Sequence, residues 1–332
     1  MNTTAVVILN YNGSKFLQQF LPTLIKYSGK AQIVVADNNS SDDSLEILKQ
    51  FPKVTALALT ENYGYAGGYN EALKQISANY YALVNSDIEV TKGWLEPLIT
   101  FLENNSEYAA VQPKILDFKN RHHFEYAGAS GGFMDSLGYA YCRGRIFDTL
   151  EEDTGQYDTN TDVFWTTGAC FMIRSSVFHK IGGFPADFFA HMEEVDLCWR
   201  LLSNDFKLAA IPESTVFHVG GGTLNKTSSR KTYLNFRNNI RLLVRNLPKG
   251  QLLLTLPIRI VLDWAAALLF WKQQSFEHFT AVFKAHKDAL SSLRLDLSQK
   301  DRSKPRIMTS SWIVLKYYFS GKKSFKELNN TK

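Results

Sequence analysis

The chain has 332 residues, 45% of them hydrophobic and 21% charged, which is enough for one large domain or two ordinary ones and is not the composition of a disordered protein. Cys142, Cys170 and Cys198 form an odd set without CxxC spacing, which suggests neither a disulfide framework nor a thiolate zinc site and suits a reducing compartment. The net charge of +5 is unevenly spread: residues 226–332 carry 21 Lys+Arg against 6 Asp+Glu, residues 1–225 carry 16 against 26, and a basic C-terminal third suits nucleic acid, anionic lipid or acidic ligands alike.

The start, "MNTTAVVILN", has no basic segment before its apolar run, and the run is too short for the core of a signal peptide, so the sequence predicts a cytoplasmic chain. "AVVILNYNG" (5–13) reads as a strand ending in a turn, "KFLQQFLPTLIKY" (15–27) as a helix, and "AQIVVADNNSSDDS" (31–44) as a second strand entering a polar loop. A helix at 44–51, a third strand beginning at 54, a helix "GYNEALKQI" at 68–76 and a fourth strand "YYALVNSDIEV" at 80–90 follow. Strands alternating with helices predict an α/β fold with a mostly parallel, Rossmann-like sheet flanked by helices, whose ligands collect at the carboxyl ends of the strands. The polar motifs fall at those ends.

Beyond Val111 the pattern loosens into a Gly- and aromatic-rich segment, 117–162, that suits strands and loops shaping a cleft. "FWTTGACFMIRSSVFHKIGGF" (164–184) resumes with a strand and a short helix, and helices follow Lys226. The stretch 252–271 is the transmembrane candidate, but Pro257, Arg259 and Asp263 lie inside it, and each charge costs roughly 2.5–3.5 kcal/mol near a bilayer centre. A span is therefore rejected. An amphipathic pair of helices at a membrane surface, and a plain helical core or dimer face, both fit.

Asp37, at the end of a strand, can accept hydrogen bonds from a base or a ribose, and it can equally close an Asx-turn. "ENYGYAGGYNEAL" (61–73) reads as a glycine-rich loop before a helix, where Gly64, Gly67 and Gly68 let the backbone approach a ligand and the helix N-terminus favours an anion. Neither GxGxxG nor GxxxxGK[ST] occurs. Asn85-Ser86-Asp87 puts a carboxylate at a strand end, as needed to share a divalent cation with substrate phosphates, and also makes an ordinary turn. "HMEEVDLCWR" (191–200) is acidic, which suits either a helix start or a catalytic cluster.

Taken in order, "VVILNYNG", "VVADNNSSDDS", "NYGYAGGYN", "LVNSDIEV", "WTTGACFMIRSSVFHKIGGF" and "HMEEVDLCWR" resemble the family 2 glycosyltransferases of the GT-A fold, in their rhamnosyltransferase-like branch, over about residues 4–245. "HVGGGT" and "YLNFRNNIRLL" continue the likeness. The resemblance implies a catalytic domain over 1–225, with a nucleotide-sugar half to about 112 and an acceptor half after it; charge and the apolar helices after Lys226 suggest a basic helical region over 226–332 in contact with a membrane surface or a second copy. It implies a nucleotide-sugar site of Asn10, Asp37, Asn39, Gly67, Asn70, Asn85, Ser86 and Asp87, with Mg2+ or Mn2+ held by Asp87 and His218. Trp165, Thr167 and Gly168 would line the acceptor side.

Glu193 and Glu194 fall on the family's ED motif, with Asp196 after them. Glu194 takes the position of the base although Asp is usual there, and Asp196 is its rival. Asn85 likewise stands where many members have Asp. Arg237 and Asn238 match an "RN" pair, and Arg230, Lys231, Arg241 and Arg245 on the same helix would face diphosphate or lipid phosphates. The expected activity is inverting, metal-assisted transfer from a UDP- or dTDP-sugar, dTDP-rhamnose among them, to a cell-surface glycan or lipid-linked acceptor at the cytoplasmic membrane face, with no nucleic-acid partner. A nucleotide-sugar-binding protein of impaired activity and a glycoside hydrolase are the alternatives.

Overall fold

The computed structural model describes residues 3–220, 228–299, 303–305 and 307–329. In chain order, β1 (Thr4–Asn10), α1 (Ser14–Tyr27), β2 (Gln32–Asp37), α2 (Ser44–Leu48), β3 (Val54–Ala58), α3 (Gly64–Leu73) and β4 (Tyr80–Asn85) make an alternating first half. Then come β5 (Ile88–Val90), α4 (Glu96–Asn104) and β6 (Tyr108–Asp117). A small antiparallel sheet follows: β7 (Gly132–Met134), β8 (Ala140–Cys142), β9 (Arg145–Ile146) and β10 (Thr149–Leu150). After β11 (Thr161–Asp162), β12 (Cys170–Arg174), α5 (Ser175–Lys180), α6 (Glu193–Ser203) and β13 (Lys207–His218), the chain is helical: α7 (Ser229–Asn246), α8 (Lys249–Gln273), α9 (Phe276–Ser291), α10 (Leu293–Leu297), α11 (Ile313–Tyr318) and α12 (Phe325–Asn329).

The main sheet has the order β11-β13-β6-β12-β4-β1-β2-β3, with β5 against β13. Pairings among β1, β2, β3 and β4, and that of β6 with β13, are parallel. Residues of β1 and β4 are buried on both faces, which explains their continuous apolar runs. The strand order reverses between β1 and β4, so the crevice for a ligand opens at the carboxyl ends carrying Asn10, Asp37 and Asn85.

Two elements differ from the sequence reading. The helix predicted at 68–76 starts at Gly64, so Gly67 and Gly68 lie within its first turns rather than in a loop. A β-carbon on Gly68 would stand 2.8 Å from a Leu9 methyl and 3.1 Å from Asn38 Nδ2, so glycine there lets α3 pack closely on β1. The predicted fourth strand is two: β4 ends at Asn85, the chain turns through Ser86 and Asp87, and β5 leaves to pair with β13. Polar residues at that break suit a turn, and the turn sets Asp87 opposite the end of β13. The expected domain boundary at 225/226, and Gly221, Gly222 and Thr223 of "HVGGGT", lie outside the described residues.

Candidate active site

The sheet brings three strand ends together. β12 runs antiparallel to β4, and the Asn85 N–H donates to the Ala169 carbonyl at 2.9 Å, which places Thr167 and Gly168 beside the Asn85 turn. β13 brings His218 level with Ile88, and the Val219 N–H donates to the Asp87 carbonyl at 3.1 Å.

At the base end of the crevice, Asn10 and Asp37 are buried and bonded to each other, with Asn10 Nδ2 donating to Asp37 Oδ1 at 3.0 Å. Asp37 also accepts from the Ser40 N–H at 2.9 Å and from its hydroxyl at 2.6 Å, so its carboxylate fixes the loop after β2. Asn39 is exposed at φ +62°, at the outer edge of that loop. Asn10 Oδ1 is buried without a hydrogen-bond partner.

Two members of the expected donor set have structural duties. Asn70 donates to the Phe184 carbonyl at 2.8 Å and accepts from the Phe184 N–H at 2.9 Å, which spends its amide on the loop before the acids. Gly67 is buried inside α3, and that helix does not offer a free anion site at its N-terminus. The Tyr65 and Ala66 N–H groups donate to the Phe189 carbonyl at 2.7 and 3.2 Å.

At the other end of the crevice, His218 is buried between two carboxylates. Its Nε2 lies 3.1 Å from Asp87 Oδ1 and its Nδ1 lies 3.1 Å from Glu125 Oε2. The second contact is at ion-pair distance but outside hydrogen-bond alignment. Burial disfavours the imidazolium, but the two acids outweigh it and raise the His218 pKa to about 10. No three His, Cys, Asp or Glu side chains converge as a complete metal site among the described residues. The pair nonetheless fits a cation that relies on substrate phosphates for its remaining ligands, with Glu125 placed to orient the ring of His218. Glu125 escaped the sequence reading because no motif marks it.

The acids are presented on strained backbone. Phe189, His191 and Met192 have φ of +66°, +70° and +70°, a region that costs a residue with a β-carbon of order 1–3 kcal/mol each. A strap holds the loop in place: Asn238 Nδ2 donates to the carbonyls of Phe188, Ala190 and His191 at 3.0, 2.9 and 2.7 Å, and Arg237 Nη2 donates to that of Phe188 at 2.9 Å. The "RN" pair thus acts on the loop.

Glu193 is 4% exposed, and Glu194 is partly exposed. Burial and then its neighbour Glu194 push the Glu193 carboxyl well above the usual range. Burial raises Glu194 to about 7, against backbone hydrogen bonding at Glu194, Val195, Gly168 and Met192. Oε2 of each has no hydrogen-bond partner among the described residues, an arrangement that costs about 1–3 kcal/mol per group unless a ligand relieves it. Gly168 closes on this carboxylate. A β-carbon there would stand 3.0 Å from the Tyr65 hydroxyl oxygen and 3.7 Å from the carboxyl carbon of Glu194. Tyr65, also unmarked in the sequence, donates its hydroxyl to the Gly168 carbonyl.

Asp196 is elsewhere. It is fully buried, accepts from Arg200 Nε at 2.8 Å and Asn246 Nδ2 at 2.9 Å, and has Arg245 Nε at 3.8 Å, so it ties α6 to α7. Trp165 is also buried. Its indole N–H donates to the Phe133 carbonyl at 3.0 Å and its ring covers Gly132, which leaves no open face for a sugar. Thr167 is buried, with its hydroxyl donating to the Ala127 carbonyl. Arg241 and Arg245, expected to face phosphates, instead pair with Asp187 and Asp296, because buried guanidinium groups need carboxylates.

The sequence model of glycosyl transferase family 2 matches residues 5–182, more than half of the chain. The chain belongs to that family. This glycosyltransferase is 24% identical over 233 residues to the N-acetylglucosaminyl-diphospho-decaprenol L-rhamnosyltransferase of Mycobacterium tuberculosis, an alignment covering 64% of this chain and 75% of that one. It is 24% identical over 189 residues to the O-antigen biosynthesis protein RfbC of Myxococcus xanthus, covering 56% of this chain and 14% of that one. Its fold is GT-A. GalNAc-T7, solved with UDP, GalNAc and Mn2+, superposes with a TM-score of 0.60 at 16% identity, over 92% of this chain and 58% of that one. TarS 1-349 of S. aureus, in complex with UDP-GlcNAc, superposes at 0.58 and 15% identity, over 88% and 81%. Membership of the transferase family removes the glycoside hydrolase alternative.

Proposed function

We propose that this glycosyltransferase moves a sugar, with inversion, from a UDP- or dTDP-sugar to a hydroxyl of a glycan or lipid-linked acceptor, with Glu194 as the general base. The observation that carries the reading is Glu194, a half-buried residue at the start of α6 whose carboxyl has a pKa near 7 and a buried oxygen without a partner, set beside Gly168 and directly after a strapped and strained loop. A base of that pKa is deprotonated often enough at neutral pH to act and basic enough to take a hydroxyl proton.

The acceptor oxygen attacks the anomeric carbon as its proton passes to Glu194, and the bond from that carbon to the diphosphate oxygen breaks with its electron pair leaving on the diphosphate. Burial and then Glu194 push the Glu193 carboxyl well above its usual range, which disfavours a second negative charge beside the base. Asp87 and Glu125 favour a proton on His218, and Nε2 would have to give up that proton to ligate a cation. Asp87 and His218 would hold Mg2+ or Mn2+, which when bound would neutralise charge on the departing diphosphate. Solved relatives that carry Mn2+ support that choice of ion.

The likeness to the decaprenol-linked rhamnosyltransferase supports rhamnose as donor sugar and a polyprenyl diphosphate glycan as acceptor. A cleft of about 730 Å³ beside Phe189, between α7 and α9, carries Arg230, Arg237 and Lys284 against Glu277, and its cationic excess suits an acceptor bearing phosphate. Purified protein offered UDP- and dTDP-sugars with Mg2+ or Mn2+ and polyprenyl diphosphate acceptors should give a product of increased mass with inverted anomeric configuration. Absence of transfer from every donor would overturn the reading. Expected kcat/KM rises with pH through about 7, as Glu194 loses its proton, and Glu194→Gln lowers turnover by roughly 10²–10⁴-fold while UDP or dTDP binding by thermal shift is retained.

A further inference from the structure

The charges that argue against a membrane span in α8 all turn inward. Arg259 Nε donates to Asp263 Oδ1 at 2.7 Å, and Arg259 Nη1 donates to the carbonyls of Leu137 and Gly138 at 3.2 and 3.1 Å. The Arg259 guanidinium lies 3.9 Å from the ring centre of Tyr139, and His286 Nε2 lies 3.1 Å from Asp263 Oδ2. Both charged residues are buried, and they pin one face of α8 to the turn of the small sheet and to α9. A helix held this way cannot thread a bilayer without abandoning those bonds.

The opposite face is of another kind. Leu253, Leu254, Val261, Trp264, Leu268 and Trp271 are 76, 73, 62, 45, 57 and 54% exposed, and no charged residue is exposed between Gln251 and Trp271. This is an apolar strip about 27 Å long, far beyond scattered surface leucines. Exposed Lys249 and Lys272 bound it at its two ends. Phe276 and Phe283 of α9, 56 and 40% exposed, continue it through ring contacts with Trp271 and Trp264, and exposed Lys284 and Lys287 lie farther along α9.

We infer that α8 lies in the plane of an anionic lipid bilayer, with this strip sunk among the acyl chains and Lys249 and Lys272 at the headgroups. Charge decides between a bilayer and a second copy. Two such faces brought together would oppose lysines within regions that each carry 21 Lys+Arg against 6 Asp+Glu over 226–332, whereas an anionic surface attracts them. Tryptophans in the strip and lysines at its ends are the composition of a helix lying at an interface. The Arg259–Asp263 pair supplies what sequence alone does not: the helix is docked by its charged face and apolar outward, the reverse of a surface helix in water.

The test uses the full chain with vesicles of phosphatidylcholine, with and without phosphatidylglycerol, followed by co-sedimentation and tryptophan emission. The chain is expected to sediment with the anionic vesicles and to shift its emission to the blue. The double variant Leu254→Glu/Leu268→Glu is expected to bind about a hundredfold more weakly, while its circular dichroism and its nucleotide thermal shift stay as in the parent. Lys249→Glu/Lys272→Glu should weaken binding to anionic vesicles alone. A parent chain that stays in the supernatant with every vesicle overturns the inference, as does a double variant that sediments like the parent. A dimer by light scattering that the double variant converts to monomer, without vesicle binding by the parent, overturns it in favour of self-association. Vesicle binding needs no turnover, so this result is read separately from sugar transfer.

Discussion

At the scale of single residues, the two candidates for the base separate by what surrounds them. Glu194 has a carboxyl group raised from its ordinary 4.5 to about 7, so the folded chain holds its proton more tightly than the unfolded chain does. That contribution to stability is complete below about pH 4.5 and is lost as pH rises through 7. Glu194→Gln is therefore expected to be more stable than the parent at pH 8, by on the order of 2–3 kcal/mol, while losing turnover. Calorimetry at pH 4 and pH 8 checks this, since the gain should be largely gone at the lower pH. Asp196 acts as a strut: its removal leaves Arg200 Nε and Asn246 Nδ2 without their carboxylate acceptor. Asp196→Ala is expected to cost about 3–5 kcal/mol in urea unfolding, with turnover per folded molecule within a few-fold of the parent. The sequence could name both acids but could not divide them, because burial and partners depend on α7, some fifty residues away.

At the scale of elements, the segment 188–192 and helix α7 form one device. Asn238 joins three carbonyls of the strained loop, so Asn238→Ala should release backbone held at positive φ. The expected result is a drop of about 10²-fold in kcat from a displaced base, with the donor KM nearly unchanged, read in steady-state kinetics with saturating donor. Strand ends were legible in the sequence, since apolar runs terminated at Asn10, Asp37 and Asn85 as they do in the sheet. What was not legible was the split of 80–90 into β4 and β5, because both halves are apolar and a periodicity argument cannot tell one strand from two that pair with different partners. Glycine positions misled for a related reason: Gly67 was read as loop, but it lies inside α3, where a β-carbon would stand 2.9 Å from Cβ of Tyr63, and Gly68 packs against the Leu9 side chain of β1.

At the scale of the whole molecule, the helical region is fastened to the catalytic sheet by buried charge. Arg241 joins Asp187 to Asp296, and Arg259 joins Asp263 to the turn at 137–138. Arg259→Leu removes the cation paired with buried Asp263, leaving it His286, and is expected to cost about 3–5 kcal/mol, measured by chemical unfolding of the full chain. The basic C-terminal third is thus divided in its duties. Some of its arginines hold the fold, and Lys249, Lys272, Lys284 and Lys287 remain exposed.

The sequence by itself determined the α/β alternation, the family and the positions of the polar strand ends, because each of these depends on local spacing and on motif order along the chain. Only the tertiary structure decided which residues meet. His218 joins Asp87 and Glu125 across separations of more than ninety residues, Asp196 turns away from the crevice, and Glu194 remains beside Gly168. The reason is physical: a carboxylate becomes a base, a metal ligand or a strut according to its burial and its neighbouring charges, and those are set by contacts that no window of sequence contains.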